Sequence, residues 1–402
     1  MPRVQVARQP IFDRELAVVG YELLFRDSAT PPPGVALGAG ATPTVVLGSL
    51  TEIGLDHLVG AQRAWINVPR EFLLGDLVRT LPRDRVVLEI LEDQTVDDEL
   101  IAAVAELRRE GWQFALDDFT LGAGADALLP YAHVVKLDLL ALGRDGLTDH
   151  IRRLRGSGIE LLAEKVETPE EHAFARSLGC ACFQGFFYRR PELLSRPQIG
   201  AGRAALMRLI TELGRPDLQL DDIAERIGHD VGLSLRLLRY INSAYLGLPN
   251  QIASVAQAVT LLGPSALRRW AMLSAFVGLD GGGSELTRTA LVRARFCELA
   301  ESATDPGERF TVGLFSVVDA LTGMRLEEAL ATLPFPDEMR VALLEREGPM
   351  GRPLRAVIAV EEAAFDAAEE AWPGATELYL EALGWADTVD AELAGDAALA
   401  IA

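Results

Sequence analysis

In the first half of the chain, short β-branched and aromatic runs alternate with longer amphipathic stretches. The apolar runs fall at Val4–Ala7, Val18–Phe25, Ala64–Val68, Val86–Ile90, Phe114–Leu116, Val134–Leu137, Ile159–Ala163 and Cys182–Phe186. Their length and composition are those of strands. Between them lie segments such as 97–110, where Leu100, Ile101, Val104 and Leu107 recur at helical spacing. Repeated strand–helix alternation predicts a parallel α/β architecture. Eight strands in roughly 190 residues predict a (β/α)8-type barrel, with a doubly wound sheet as the alternative.

The texture changes after 195–202, where Pro197, Gly200 and Gly202 mark a linker. Asp221 or Asp222 can cap a helix carrying Ile223 and Ile227, and a second helix carries Leu233, Leu237, Leu238 and Ile241. Ser254 and Gln257 form a capping box that opens another, and Gly263-Pro264 ends it and starts the next. Helices are then expected over Ala290–Ser302, Phe310–Leu321, Pro336–Glu347 and Leu354–Ala371. The second half is therefore read as an all-α bundle. The expected domains are 1–195 and 203–402, with Pro31–Pro33 and Gly281–Gly283 in loops.

Composition narrows the function. The 402 residues are 49% hydrophobic, enough for a sizeable core, and carry a formal net charge of -21. So acidic a chain, with no basic run, repels a nucleic-acid backbone. It can hold a phosphate ligand only through a metal ion or a few placed Arg and Lys residues. Three cysteines, Cys180, Cys182 and Cys297, are too few and too odd for a disulfide framework and fit a reducing cytoplasm. Cys180-x-Cys182 lacks the further ligands of a zinc site and reads as two small buried residues. The N-terminus has no apolar signal segment. The most apolar long stretch, 261–279, is broken by Arg268 and Arg269, so no membrane span is expected.

The candidate chemistry is positional. Most apolar runs of the first half end in a polar residue: Glu22, Asn67, Glu89, Asp117-Asp118, Lys136, Glu164 and Gln184. In a (β/α) barrel the strand ends converge on one face, where catalytic residues gather. Converged carboxylates repel one another unless a cation sits among them. Oxygen ligands with one Asn suit Mg²⁺ or Mn²⁺ rather than zinc. Adjacent Asp117 and Asp118 suit two ions about 4 Å apart, the arrangement that activates water against a phosphodiester.

These residues lie within motifs that resemble the EAL domain. Glu22–Arg26 (ELLFR) resembles its E-x-L-x-R signature. Ile66-Asn67, Leu88–Glu92 (LEILE), Ala115–Phe119 (ALDDF), Val135–Asp138 (VKLD), Ala163–Thr168 (AEKVET) and Gln184–Phe186 (QGF) follow in that family's order. The resemblance implies a (β/α) barrel that opens cyclic-di-GMP to the linear dinucleotide with Mg²⁺ or Mn²⁺. It implies that Glu22, Asn67, Glu89 and Asp117 ligate a first metal and that Asp118 ligates a second, with Asp117 bridging. Lys136 would orient the attacking water, Glu164 and Gln184 would complete the shell, and Arg26 would contact phosphate. Glu92 and Glu167 would support the site as loop residues. Three departures stand out. The loop after Asp118 reads Phe119-Thr-Leu-Gly-Ala-Gly-Ala-Asp126 in place of Phe-Gly-Thr-Gly-Tyr-Ser and is about two residues short up to Lys136. Leu91 replaces a Thr, and Lys165 stands where active members have Gly.

The segment 227–244, followed by 252–263, resembles the HDOD domain, a non-catalytic relative of HD phosphohydrolases. His229-Asp230 is not read as a metal pair, because residues 201–402 contain one histidine. Where HD enzymes read Gly-Leu-Leu-His-Asp, this chain reads Gly313-Leu-Phe-Ser-Val317. This half is expected to bind a protein partner or the barrel. Two functions stay open. One is a metal-dependent cyclic-di-GMP phosphodiesterase regulated by the helical domain, with a homodimer implied by resemblance. The other is an inactive cyclic-di-GMP receptor or protein-interaction scaffold.

Overall fold

The computed structural model describes residues 4–27, 54–122, 124–185, 285–322, 325–331 and 335–397, together with scattered positions between 237 and 270. The chain divides into two compact units, each built mainly from one half of the sequence. The expected linker 195–202, the helix capped at Asp221 or Asp222, His229-Asp230, Phe186 and the loops at 31–33 and 281–283 lie outside the described residues.

The first unit is a closed barrel of eight strands joined in sequence order, β1-β2-β3-β4-β5-β6-β7-β8, which excludes a doubly wound sheet. The strands are β1 (Val4–Phe12), β2 (Val18–Asp27), β3 (Arg63–Asn67), β4 (Val86–Ile90), β5 (Gln113–Leu116), β6 (Val134–Asp138), β7 (Glu160–Glu164) and β8 (Cys182–Phe183). Helices α1 (Leu55–Val59), α2 (Arg70–Leu74), α3 (Asp98–Arg109), α4 (Leu139–Leu154) and α5 (Pro169–Leu178) lie between them.

The expectation of an all-parallel sheet is corrected at one strand. β1 runs antiparallel to both β2 and β8. The cause is the short connection: Asp13 accepts hydrogen bonds from the Glu15 and Ala17 amides (2.9 and 2.8 Å), making a tight turn in place of a crossover helix. Arg14 fastens that turn to the segment entering the neighbouring strand β8 by donating to the carbonyls of Cys180 and Gly179, both at 2.8 Å.

Helix ends follow local chemistry. Asp97 caps α3 by accepting from the Leu100 amide. Thr168 and Glu171 close a capping box at α5, Pro169 takes its first position, and Gly179 ends it in the left-handed conformation.

The second unit is helical: α6 (Glu285–Leu299), α7 (Pro306–Phe315), α8 (Val318–Thr322), α9 (Leu326–Ala331), α10 (Asp337–Leu344), α11 (Gly348–Glu361), α12 (Phe365–Ala371) and α13 (Ala375–Ala397). A helical segment at 257–263 starts where Ser254 Oγ accepts from the Gln257 amide (3.2 Å) and ends at Gly263, φ 72°. Two expected helices are each split in two. Phe310–Leu321 breaks after Phe315, where Ser316 turns its hydroxyl onto the Gly313 carbonyl (2.7 Å). Leu354–Ala371 breaks at Ala363, whose φ is 56°.

Candidate functional site

The barrel interior is built in two layers by the two-residue period of its strands. Ile11, Trp65, Val87, Ala115, Val134, Leu162 and Cys182 form one apolar cluster. Gly20 of β2 completes this layer, since a Cβ there would lie 2.6 Å from Trp65 Nε1. Two residues further toward the mouth, every strand supplies a polar side chain: Glu22, Asn67, Glu89, Asp117, Lys136, Glu164 and Gln184, with Gln9 from the reversed strand β1. Glu22 lies within β2 rather than at its end, because the long hairpin carries β2 on to Asp27.

Lys136 stands at the centre of this ring. Its ammonium, with 1% of the side chain exposed, lies 2.7 Å from Asp117 Oδ1, 2.9 Å from Glu89 Oε1, 3.0 Å from Glu164 Oε1 and 3.3 Å from Glu22 Oε2. Glu22 also accepts from Gln184 Nε2 (2.7 Å) and Asn67 Nδ2 (3.0 Å), and Gln184 Nε2 reaches Gln9 Oε1 (3.1 Å).

The electrostatics follow. Burial disfavours the Lys136 ammonium, but Asp117, Glu164, Glu22 and Glu89 outweigh it and hold its pKa well above the ordinary value. Burial raises Glu164 to about 8 and, with the Glu22 charge, raises Glu89 well above the usual carboxylate range. Glu22 is held below that range. Burial opposes this, but the Lys136 charge and the bonds from Gln184, Lys136 and Asn67 prevail. One ring thus contains carboxyls pushed in opposite directions, a pattern of functional sites.

The mouth adds a second charged group. Asp117 and Phe119 are tied into the sheet through their amides, to the carbonyls of Ile90 (3.0 Å) and Lys136 (3.1 Å). Asp118 between them takes a left-handed conformation (φ 41°), and so does Lys165 just past β7 (φ 52°). Such backbones cost non-glycine residues about 1–2 kcal/mol and persist where the surroundings impose them. Lys165 bonds Asp138 Oδ2 and lies 3.9 Å from Asp118 Oδ1. Burial and the neighbouring Asp117 charge raise the Asp118 carboxyl. A cavity of about 120 Å³ beside it is lined by Leu91, Glu92, Asp117, Asp118, Phe119 and Leu128, among others.

The altered loop is held to α4 by His150, whose Nε2 accepts from the Leu121 amide (3.1 Å) while its Nδ1 donates to the Gly146 carbonyl (2.8 Å).

Of the residues expected at the site, Glu22, Asn67, Glu89, Asp117, Lys136, Glu164 and Gln184 are brought together, and Asp118 stands at their rim. Glu92 is exposed at the same mouth, its carboxyl raised by burial and by the charges of Asp118 and Asp117. Glu167 is exposed, and its amide donates to Glu171 in the α5 cap (2.8 Å). Arg26 lies on β2 in register with Gln5, and its side chain is outside the described residues. Gln9, Asp138 and the Lys165–Asp138 pair were not anticipated. Cys180 and Cys182 are buried free thiols, raised by burial to about 12 and about 11, which is the chemistry of packed residues rather than ligands.

Several buried oxygens have no hydrogen-bond partner: Asn67 Oδ1, Glu89 Oε2, Asp118 Oδ1 and Gln184 Oε1. Unmatched acceptors at this density fit a hard cation. Among the described residues no three His, Cys, Asp or Glu side chains stand as a preformed ligand cluster, because four of the carboxylates point at Lys136.

In the helical unit, Gly313 lets α7 cross α6 closely, since a Cβ there would lie 2.3 Å from the Arg293 carbonyl. Ser316 accepts from Arg293 (3.3 Å), and Val317 is buried. Neither position offers a metal ligand. Among the described residues no helix is long and apolar enough to cross a membrane.

Residues 70–191 match the EAL domain and residues 203–316 match the HDOD domain. A cyclic di-GMP phosphodiesterase of Vibrio cholerae, CdgJ, is 34% identical over 384 residues, covering 94% of this chain and 87% of that protein. YuxH of Bacillus subtilis, a protein without an assigned role, is 32% identical over 95% of this chain and 98% of its own length. The Klebsiella pneumoniae BlrP1 complex with calcium and cyclic-di-GMP is similar at 25% sequence identity and a TM-score of 0.38, covering 46% of this chain and 55% of that one. Full-length similarity to CdgJ and YuxH, together with the two domain matches, shows that the chain belongs to the EAL–HDOD family of signalling proteins.

Proposed function

We propose that the barrel binds cyclic-di-GMP and opens it to the linear dinucleotide using a divalent cation, Mg²⁺ or Mn²⁺. The observation that carries this reading is the complete polar ring, one side chain from each strand, with buried oxygens left unmatched. Glu22, Asn67, Glu89 and Asp117 would hold the ion, with Asp118 beside them. A bound divalent ion would polarise a phosphoryl oxygen and activate water at neutral pH.

The chain's own groups supply the rest. Lys136 orients the water and steadies the charge of the carboxylates it touches. Glu164, with a pKa of about 8, can hold or pass a proton near neutrality. Gln184 fixes Glu22 by its hydrogen bond. Arg26 provides the phosphate contact, where a guanidinium is bidentate. Glu92 and Glu167 keep the mouth in shape. CdgJ carries the phosphodiesterase name over nearly the whole length shared with this chain, which favours the same substrate here. The helical unit, with Ser316 and Val317 where HD enzymes place His and Asp, acts through a protein partner, and the chain works as a homodimer.

A second reading is favoured by one observation. Lys136 engages the same carboxylates that an ion would need. On that reading the barrel is a cyclic-di-GMP receptor or scaffold without turnover.

Full-length protein incubated with Mn²⁺ and cyclic-di-GMP, assayed for linear dinucleotide beside Glu22→Ala, separates the two. Product from wild type, reduced at least 100-fold in the variant, is expected. Equal inertness with calorimetric binding of cyclic-di-GMP would establish the receptor.

A further inference from the structure

At the mouth of the barrel a lysine already occupies the place where a second cation would go. Lys165 Nζ bonds Asp138 Oδ2 and approaches Asp118 Oδ1 at 3.9 Å, so one ammonium serves two carboxylates. Asp138 has no oxygen left over, because its Oδ1 caps α4 by accepting from the Ala141 amide at 2.9 Å. Asp118, the carboxylate next to the ring, therefore has the part-exposed Lys165 ammonium as a facing charge at 3.9 Å.

The backbone that carries this lysine is held in place by its surroundings. Its φ of 52° is a backbone that favours glycine. The next residue, Val166, is buried and donates its amide to the Gln184 carbonyl (3.1 Å). Gly185 presses on the same peptide so closely that a Cβ would lie 2.3 Å from Val166 O. The segment is fixed between the ends of β7 and β8, and Lys165 projects from it toward Asp118.

We propose that this centre takes a single divalent ion within the ring, and that Lys165 supplies the second positive charge that adjacent aspartates would otherwise obtain from a second ion. The ring sets four carboxylates against the single Lys136 ammonium and has negative charge to share with an ion, whereas at the mouth Lys165 faces only Asp138 and Asp118, so a further ion on Asp118 would compete with that ammonium for little remaining negative charge. Lys165 is thus a positioning residue that sets the ion count. The inference rests on reading the ring as an ion-binding centre.

The test is Mn²⁺ stoichiometry of the full chain by calorimetry and native mass spectrometry, with electron paramagnetic resonance to distinguish isolated from exchange-coupled Mn²⁺. Wild type is expected to bind one ion with an isolated-ion spectrum. Lys165→Gly, which also relieves the backbone, and Lys165→Met should each bind two, with a coupled spectrum. Lys165→Arg, which keeps the charge, should stay at one. Two ions on wild type, or one ion on both neutral variants, would overturn the inference while leaving the ring reading intact. No ion bound to wild type would remove the ring reading and this inference with it.

Discussion

Each unit buries a cation, and the two surround it differently. In the barrel, Lys136 is enclosed by Glu22, Glu89, Asp117 and Glu164. In the helical unit, Arg309 is also buried, but its guanidinium donates to neutral oxygens: the carbonyls of Cys297 (3.0 Å), Glu298 (3.1 Å) and Thr304, and the hydroxyls of Ser302 and Thr304 (3.4 Å each). The first two of these carbonyls end α6, so Arg309 satisfies a helix C-terminus and complements its dipole. A cation among carbonyls completes a structure and has nothing to exchange with. A cation among four carboxylates holds a place that another cation can contest. The difference is what the proposed function requires of the barrel and not of the bundle.

The strongest way to break this contrast is to remove Lys136. Lys136→Met leaves buried carboxylates without their counter-charge, a change that costs about 3–5 kcal/mol when one partner of a buried ion network is deleted. Urea denaturation should show that loss in the barrel transition, and saturating Mn²⁺ should recover part of it by supplying positive charge to the same ring. A Lys136→Met protein as stable as wild type would mean the ring does not need a cation.

Arg309→Met is the matching change in the other unit. Three carbonyls lose a charged donor, and bonds of this kind contribute about 1.5–3 kcal/mol each, less what water recovers, so a loss near 3 kcal/mol is expected. Hydrogen exchange should show α6 amides losing protection while barrel amides keep theirs, and Mn²⁺ should rescue nothing. Rescue by Mn²⁺ would erase the distinction between the two cations.

The barrel's ring was legible because strand period and chemistry coincide. Each of Trp65, Val87, Ala115, Val134, Leu162 and Cys182 is followed two residues later by a polar side chain, and an apolar run ending that way can be read without coordinates. Gln9 escaped because β1 runs in the opposite sense, so its polar residue precedes Ile11, and because Pro10 reads as the end of a strand. Lys165 was visible as a residue out of place, but its pairing with Asp138 depends on how β6 and β7 lie side by side, with Asp138 in register with Glu164. In the helical half, apolar spacing located the helical stretches between 290 and 371 but missed α9 and the long α13, and gave no sign of the breaks at Ser316 and Ala363. Neither residue type signals a stop: the first break is marked by the Ser316 hydroxyl on the Gly313 carbonyl and the second by the left-handed backbone at Ala363.

A change of pH should act on one cation's surroundings and not on the other's. Carbonyl oxygens around Arg309 do not titrate, whereas Glu164 does, at about 8 when folded against 4.5 when free. Between those values the folded chain keeps a proton that the unfolded chain has released, so folding stability falls as pH rises, by about 1.4 kcal/mol per pH unit for one such group, and levels off above the folded value. Glu89, also raised, adds to the same slope. Glu22 is held low and acts only below 4.5, where its contribution is lost as pH falls. Urea midpoints of the barrel transition at about pH 6 and about pH 8 should therefore differ, and Glu164→Gln should flatten the slope because its amide carries no proton to lose. Arg309→Met should leave that slope as it is in wild type. An unchanged slope in Glu164→Gln would place the titration elsewhere and remove the ring's claim to hold a proton near neutrality.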